Sequence, residues 1–254
     1  MNFFDTVWKD LINAYFPEFI EFFFPEVAFH INVKGDIRIL DQELETLIPN
    51  NGNSYCYADI LLQAPKKRVP KDSSSRKNCE LIHITIQGKS ETGFTEKLFR
   101  STYRIYDRFR MLPISLVVCT DDGPNFYPGA FEILDAQRYL RLEYNVAKLL
   151  YFRGKMRDPD CYHNPFAFVT HIQLEVHGLK RRNEKDKDVQ LKRDLLSELF
   201  SYPCSIHYKS SLLLFLNWAL PLSDFREKQM QEVLSRKILK WYHSLRIKKW
   251  KSTQ

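Results

Sequence analysis

Two short segments constrain this chain more than any other feature: residues 55–64 (YCYADILLQA) and 80–89 (ELIHITIQGK). Both are rich in β-forming residues, and the stretch between them, PKKRVPKDSSSRKN (65–78), holds two prolines, three serines and six basic residues. That stretch is too polar to pack, so the two segments read as strands joined across a loop. Strand side chains alternate between faces, which puts Tyr55, Tyr57, Asp59 and Leu61 on one face. On the second strand Leu81, His83, Thr85 and Gln87 share a face, and Ile82, Ile84 and Ile86 form the opposite one. A hairpin across the loop brings Asp59 beside Thr85 and Gln87. An acid in an apolar strand is costly without a partner, so Asp59 marks either a site or a structural pair.

The flanking sequence extends this hairpin into a fold. Residues 5–24 read as helix, with Asp5 as N-cap, a restart at Pro17 and an end at Pro25. Residues 28–33 and 37–40 are β-like, split by the turn signal Lys34-Gly35-Asp36. After the second strand come a helical run, 94–110, and a buried-strand run, ISLVVCT (114–120). Strand, strand, helix, strand in that order predicts an α/β core with a mixed sheet. Helical periodicity then recurs at 138–152, 165–177, 186–201, 207–219 and 225–250, with Asn164-Pro165 and Asp224 as helix starts. The expected division is an α/β core over 1–135 and a helical C-terminal region over 136–254 that ends in a basic tail.

Charge is segregated along the chain. Residues 1–60 carry 3 basic and 10 acidic groups, residues 61–120 carry 12 and 5, and residues 181–254 carry 16 and 8. The net +7 is the remainder of these opposing blocks, and it points to an anionic partner, with nucleic acid first. With 44% hydrophobic and 27% charged residues the chain is not of the disordered class. The longest apolar stretch, 212–222, is interrupted by Asn217 and Pro221 and falls short of the roughly 20 residues that span a bilayer. The acidic N-terminus lacks a basic n-region, so no signal peptide and no membrane partner are expected. Five scattered cysteines with no CxxC spacing suit reduced thiols in the cytoplasm rather than a disulfide frame. Cys161 and His163 are too loosely grouped to read as a metal site.

Arg100, Arg104 and Arg108 follow one another at i, i+4 and i+8 on the 94–110 helix. They suit a track of phosphates and equally a solvated face. Beside strands carrying Asp59 and Gln87, the track gives the layout of a phosphodiester-cleaving site. Such a site uses carboxylates for a hard divalent metal, an amide or ammonium to hold water, and arginines for phosphates. Lys89, at the end of the second strand, adds a cation to the same nucleic-acid-binding set.

Taken in order, FPEFIEFFFPE, YADILLQ, IHITIQGK, Tyr103-Arg104-Ile105-Tyr106, LPISLVVCTDD, Asn164-Pro165-Phe166 and FLNWALPL make the chain resemble a known family over nearly its whole length. This is the recombination-promoting nuclease family, also called YhgA-like transposases, a bacterial branch of the PD-(D/E)XK nuclease superfamily. The resemblance implies a restriction-endonuclease-like mixed sheet flanked by helices, magnesium-dependent DNA cleavage, and a role in recombination or transposition. Asp59 matches the family's metal-binding aspartate, and Gln87 matches the position held by glutamine in this branch and lysine in the wider superfamily. Thr85 is the departure, because the family has glutamate there.

A neutral hydroxyl at Thr85 removes one of two anionic oxygen ligands and weakens any magnesium site built on Asp59. Glu80 has the wrong strand parity to replace it, Glu91 lies beyond Gly88, and Glu43 and Glu45 could approach only through the tertiary fold. Two readings follow. One is a metal-dependent DNA nuclease with Asp59, Thr85 and Gln87 at its centre. The other is a degenerate module that keeps the fold and binds DNA or a protein without cleavage. Structural roles stand beside both: Asp59 could pair with an arginine of the following helix, and His83 reads as a hydrogen-bonded core histidine. The tail, 226–254, holds 9 basic and 2 acidic groups and suits DNA, an anionic surface or a partner protein. A homo-oligomer is compatible with everything above.

Overall fold

The computed structural model describes residues 3–48, 56–68, 78–161, 163–182, 184 and 187–251. Lys71, Arg76 and Lys77 of the basic loop, and Tyr55, lie outside the described residues. Contacts divide the chain into two compact units, Met1–Tyr151 and Phe152–Gln254.

The first unit is built on a five-stranded mixed sheet in the order β1-β2-β3-β4-β7. Its strands are β1 (Arg38–Ile39), β2 (Cys56–Pro65), β3 (Cys79–Gln87), β4 (Ile114–Cys119) and β7 (Asn145–Lys148). β1, β2 and β3 run antiparallel, whereas β3, β4 and β7 are parallel. The expected hairpin is present, with Asp59 directly opposite Thr85 and a register shift between Cys56 and Ala58. The chain returns from β3 to β4 through α5 (Phe94–Phe109), the crossover that a parallel pair requires.

One face of the sheet is apolar over its middle. Ile60, Leu62, Ile82, Ile84, Ile86, Leu116 and Val118 are all buried, and each such side chain contributes roughly 1.5–3 kcal/mol on burial. Helix α1 (Phe3–Ala14) packs against β2, followed by α2 (Phe16–Phe23) and α3 (Pro25–His30). The other face is divided. Leu61 and Leu81 join Leu40 and Leu44 around α4 (Asp41–Leu47) and Ile105 of α5. Val117 and Cys119 join Phe94, Leu98 and Tyr144. Between these two apolar clusters the sheet carries His83, Thr85, Gln87 and Ser115, all buried. Ser115 Oγ lies 3.3 Å from Thr102 Oγ1 of α5, so even the helix contact is polar here.

Several sequence expectations are corrected. Residues 28–30 of the stretch expected as β-like are helical, because Pro25 opens a new helix, Pro25–His30, at its N1 position instead of only ending the last one. The stretch 138–152 is not a helix: it forms β6 (Tyr139–Glu143), β7 and a short 3₁₀ turn. β6 pairs with β5 (Ala130–Leu134) as a separate antiparallel ribbon. The first unit therefore runs to Tyr151 and takes its last sheet strand from beyond residue 135.

The second unit is helical, with α6 (Pro165–Arg181), α7 (Asp188–Ser201), α8 (Ile206–Ala219), α9 (Asp224–Val233) and α10 (Arg236–Lys251). Asn164 caps α6 by accepting from the Phe166 amide at 2.9 Å. The run expected as one helix over 225–250 is two, broken at Leu234 and Ser235, and Ser223 rather than Asp224 is the cap of α9. Lys192, buried in α7, meets Glu227 of α9 at 3.1 Å, and Tyr242 of α10 donates to the same carboxylate. The fold is thus α/β, a mixed sheet flanked by helices with a helical C-terminal region. Among the described residues no helix is long and apolar enough to cross a membrane.

Candidate functional site

The β2–β3 register sets the site. Because Asp59 and Thr85 are direct partners, their side chains emerge on the same face, and the Thr85 hydroxyl donates to Asp59 Oδ1 at 2.7 Å. His83, two residues earlier on the same face, points its Nε2 at that oxygen from 3.6 Å. This is too long for a hydrogen bond, and neither ring nitrogen of His83 has a hydrogen-bond partner among the described residues. The expectation of a hydrogen-bonded core histidine is therefore half right: His83 is 1% exposed but unbonded. Asp59 keeps 33% of its side-chain surface open, so the site has a mouth.

Burial pushes the Asp59 carboxyl up, but His83, the Thr85 hydroxyl and the Lys97 ammonium together outweigh it and hold the carboxyl below its ordinary value. Asp59 is thus an anion near neutral pH. Lys97 escaped the sequence reading, although its signal was there. It lies three, seven and eleven residues before Arg100, Arg104 and Arg108, on the same stripe of α5. Of this stripe, Lys97 is near enough to Asp59 for its charge to act on the carboxyl. Arg100, Arg104 and Arg108 are all exposed. Arg100 pairs with Glu96 at 2.5 Å, Arg104 donates to the Leu47 carbonyl at 3.3 Å, and Arg108 has no partner among the described residues. No arginine pairs with Asp59 among the described residues.

Gln87 closes the row at the end of β3. Fully buried, it donates through Nε2 to the Lys89 carbonyl at 2.8 Å and to Glu91 Oε2 at 3.2 Å, while its Oε1 is buried without a partner. Lys89 itself is exposed. Strand β3 ends at Gln87, as Gly88 suggests, yet the chain folds back so that Glu91 returns to the row. Glu91 does not complete a metal cluster: among the described residues no three His, Cys, Asp or Glu groups gather within reach of one ion. Two of the three α4 acids are engaged elsewhere, Asp41 with Lys9 at 3.0 Å and with the Leu61 amide, and Glu45 with Lys9 at 3.9 Å. Glu80 pairs with Lys66 at 2.9 Å.

The magnesium implied by the resemblance can be tested against this donor set. Magnesium requires hard oxygen ligands in octahedral array, usually with more than one carboxylate or a substrate phosphate. Here the donors are one carboxylate, a hydroxyl already committed to it, and an imidazole. They do not make a magnesium cage. Comparison of the chain with protein-family profiles, with curated proteins and with solved structures finds no match.

Proposed function

We propose that this chain is a DNA-binding module of the PD-(D/E)XK nuclease type that grips the phosphate backbone without cleaving it. The observation that carries this reading is the Thr85–Asp59 hydrogen bond. It stands where the resemblance implies a second metal-binding carboxylate, and it occupies an oxygen of the first. Lys97 and the exposed Arg100, Arg104 and Arg108 supply the basic stripe, and each phosphate neutralised steepens the salt dependence of binding. The four described free cysteines, Cys79, Cys119, Cys161 and Cys204, favour the reducing cytoplasm as the place of action.

The test is a titration of duplex DNA against salt. Each of Arg104→Ala and Arg108→Ala reduces the slope of log K on log salt by about 0.9 in magnitude, and plasmid stays intact in magnesium. Absence of salt-sensitive binding would remove the proposal. Magnesium-dependent phosphodiester hydrolysis, linked to recombination or transposition, is the second reading. The position of Glu91 on Gln87 favours it, because it puts another carboxylate on the same row. Under the first reading Thr85→Glu gains metal-dependent cleavage that the native chain lacks; under the second the native chain already cleaves.

A further inference from the structure

We propose that the exposed side of α5 takes DNA as an unpaired strand, with Tyr103 and Tyr106 stacking on its bases. Tyr103 is 60% exposed and Tyr106 44%. Neither ring has an aromatic or cationic partner among the described residues. Three residues apart, the two are neighbours on the helix surface, and Arg100, three before, and Arg110, four after, continue the same row. The row reads arginine, tyrosine, tyrosine, arginine, and it shares Arg100 with the stripe that continues through Arg104 and Arg108. Arg110 ends the helix at φ 55°, the left-handed position that glycine ordinarily takes, so a cation stands there against backbone preference. Arg100 and Arg110 pair within the helix, with Glu96 at 2.5 Å and Asp107 at 3.1 Å, but such exposed pairs hold weakly in water and yield to a phosphate. A duplex keeps its base faces stacked inside, where two surface tyrosines cannot reach them. An unpaired strand offers those faces as well as its phosphates, and an aromatic ring can stack on any base.

This inference rests on the DNA-binding reading and deepens it, and the two are tested apart. Fluorescence anisotropy follows the full chain binding a labelled short oligo(dT), an abasic strand of equal length and a duplex of equal length, across a range of salt. Oligo(dT) binds more tightly than the duplex, and more tightly than the abasic strand by about 10-fold or more. Tyr103→Ala and Tyr106→Ala each weaken oligo(dT) about 10-fold and leave the abasic strand and the duplex unchanged. Tyr103→Phe, which keeps the ring, binds oligo(dT) as the native chain does. Equal binding of oligo(dT) and the abasic strand would overturn the inference, while salt-sensitive duplex binding would leave the DNA-binding reading standing. So would a loss in Tyr103→Ala that fell equally on all three ligands. Binding of none of them would remove both.

Discussion

Two buried polar clusters sit on the same sheet, at the end of β7 and at the centre of the β2–β3 pair. Lys148 is fully buried, and its ammonium meets both oxygens of Asp121 and the Phe126 carbonyl, each at 2.9 Å. That uses all three donors of a lysine. Asp121 is itself engaged a second time, accepting from the Gly123 amide at 3.1 Å. Burial and the neighbouring Asp121 push the Cys119 thiol up to about 12, so this corner holds no reactive nucleophile. At the other cluster Asp59 is a third open, His83 is unbonded, and Gln87 keeps a buried oxygen unpartnered. A satisfied cluster ties β4, β7 and the loop between them together and has nothing left to offer a ligand. An unsatisfied one with a mouth keeps its donors available.

The contrast can be broken by mutation. The largest effect is expected at the satisfied pair. Lys148→Met leaves Asp121 buried without its cation and costs about 3–5 kcal/mol, seen as a fall in the denaturant midpoint at unchanged slope. Adding Asp121→Leu restores most of the loss, because burying neither charge is often neutral or better. A loss below about 1 kcal/mol for the single variant would show that the pair is no structural clamp. Next comes Thr85→Val, which removes one bond to a carboxylate that water can reach. It costs about 1 kcal/mol, and a loss as large as that of Lys148→Met would erase the distinction between the clusters.

The smallest effect is a pH dependence. Asp59 has its carboxyl held below the ordinary value near 3.9. Its charge therefore contributes stability that is fully present above that ordinary value. The contribution is lost as pH falls through the lowered folded value. Measured against Asp59→Asn, the native chain's advantage closes below about pH 4. An advantage that instead grows on acidification would contradict the assignment of Asp59 as a stabilised anion.

Much of this could be seen in the residues themselves, and the reasons are physical. The β2–β3 hairpin was legible because period-two alternation fixes both faces and an unpackable loop fixes the partner, so Asp59 beside Thr85 followed. Helix α5 was legible from its arginine stripe. The stretch 138–152 was misread because short apolar runs satisfy either period. Its β6 segment pairs only with a ribbon outside the main sheet, and β7 is just four residues long. Pro25 was misread because proline both ends one helix and opens the next. The Lys148–Asp121 pair was invisible, since nothing local marks which lysine a sheet will bury. Nor could parity on the strand reveal that the chain would carry Glu91 back to Gln87, a contact made by the turn between Gly88 and α5.

The proposed module binds DNA without cutting it, and one assay addresses that directly. Supercoiled plasmid is incubated with the native chain and with Asp59→Ala, in magnesium and in manganese, under conditions where DNA binding is saturated. The expected result is bound but uncut plasmid in every lane. Nicking or linearisation by the native chain that disappears in Asp59→Ala would contradict it.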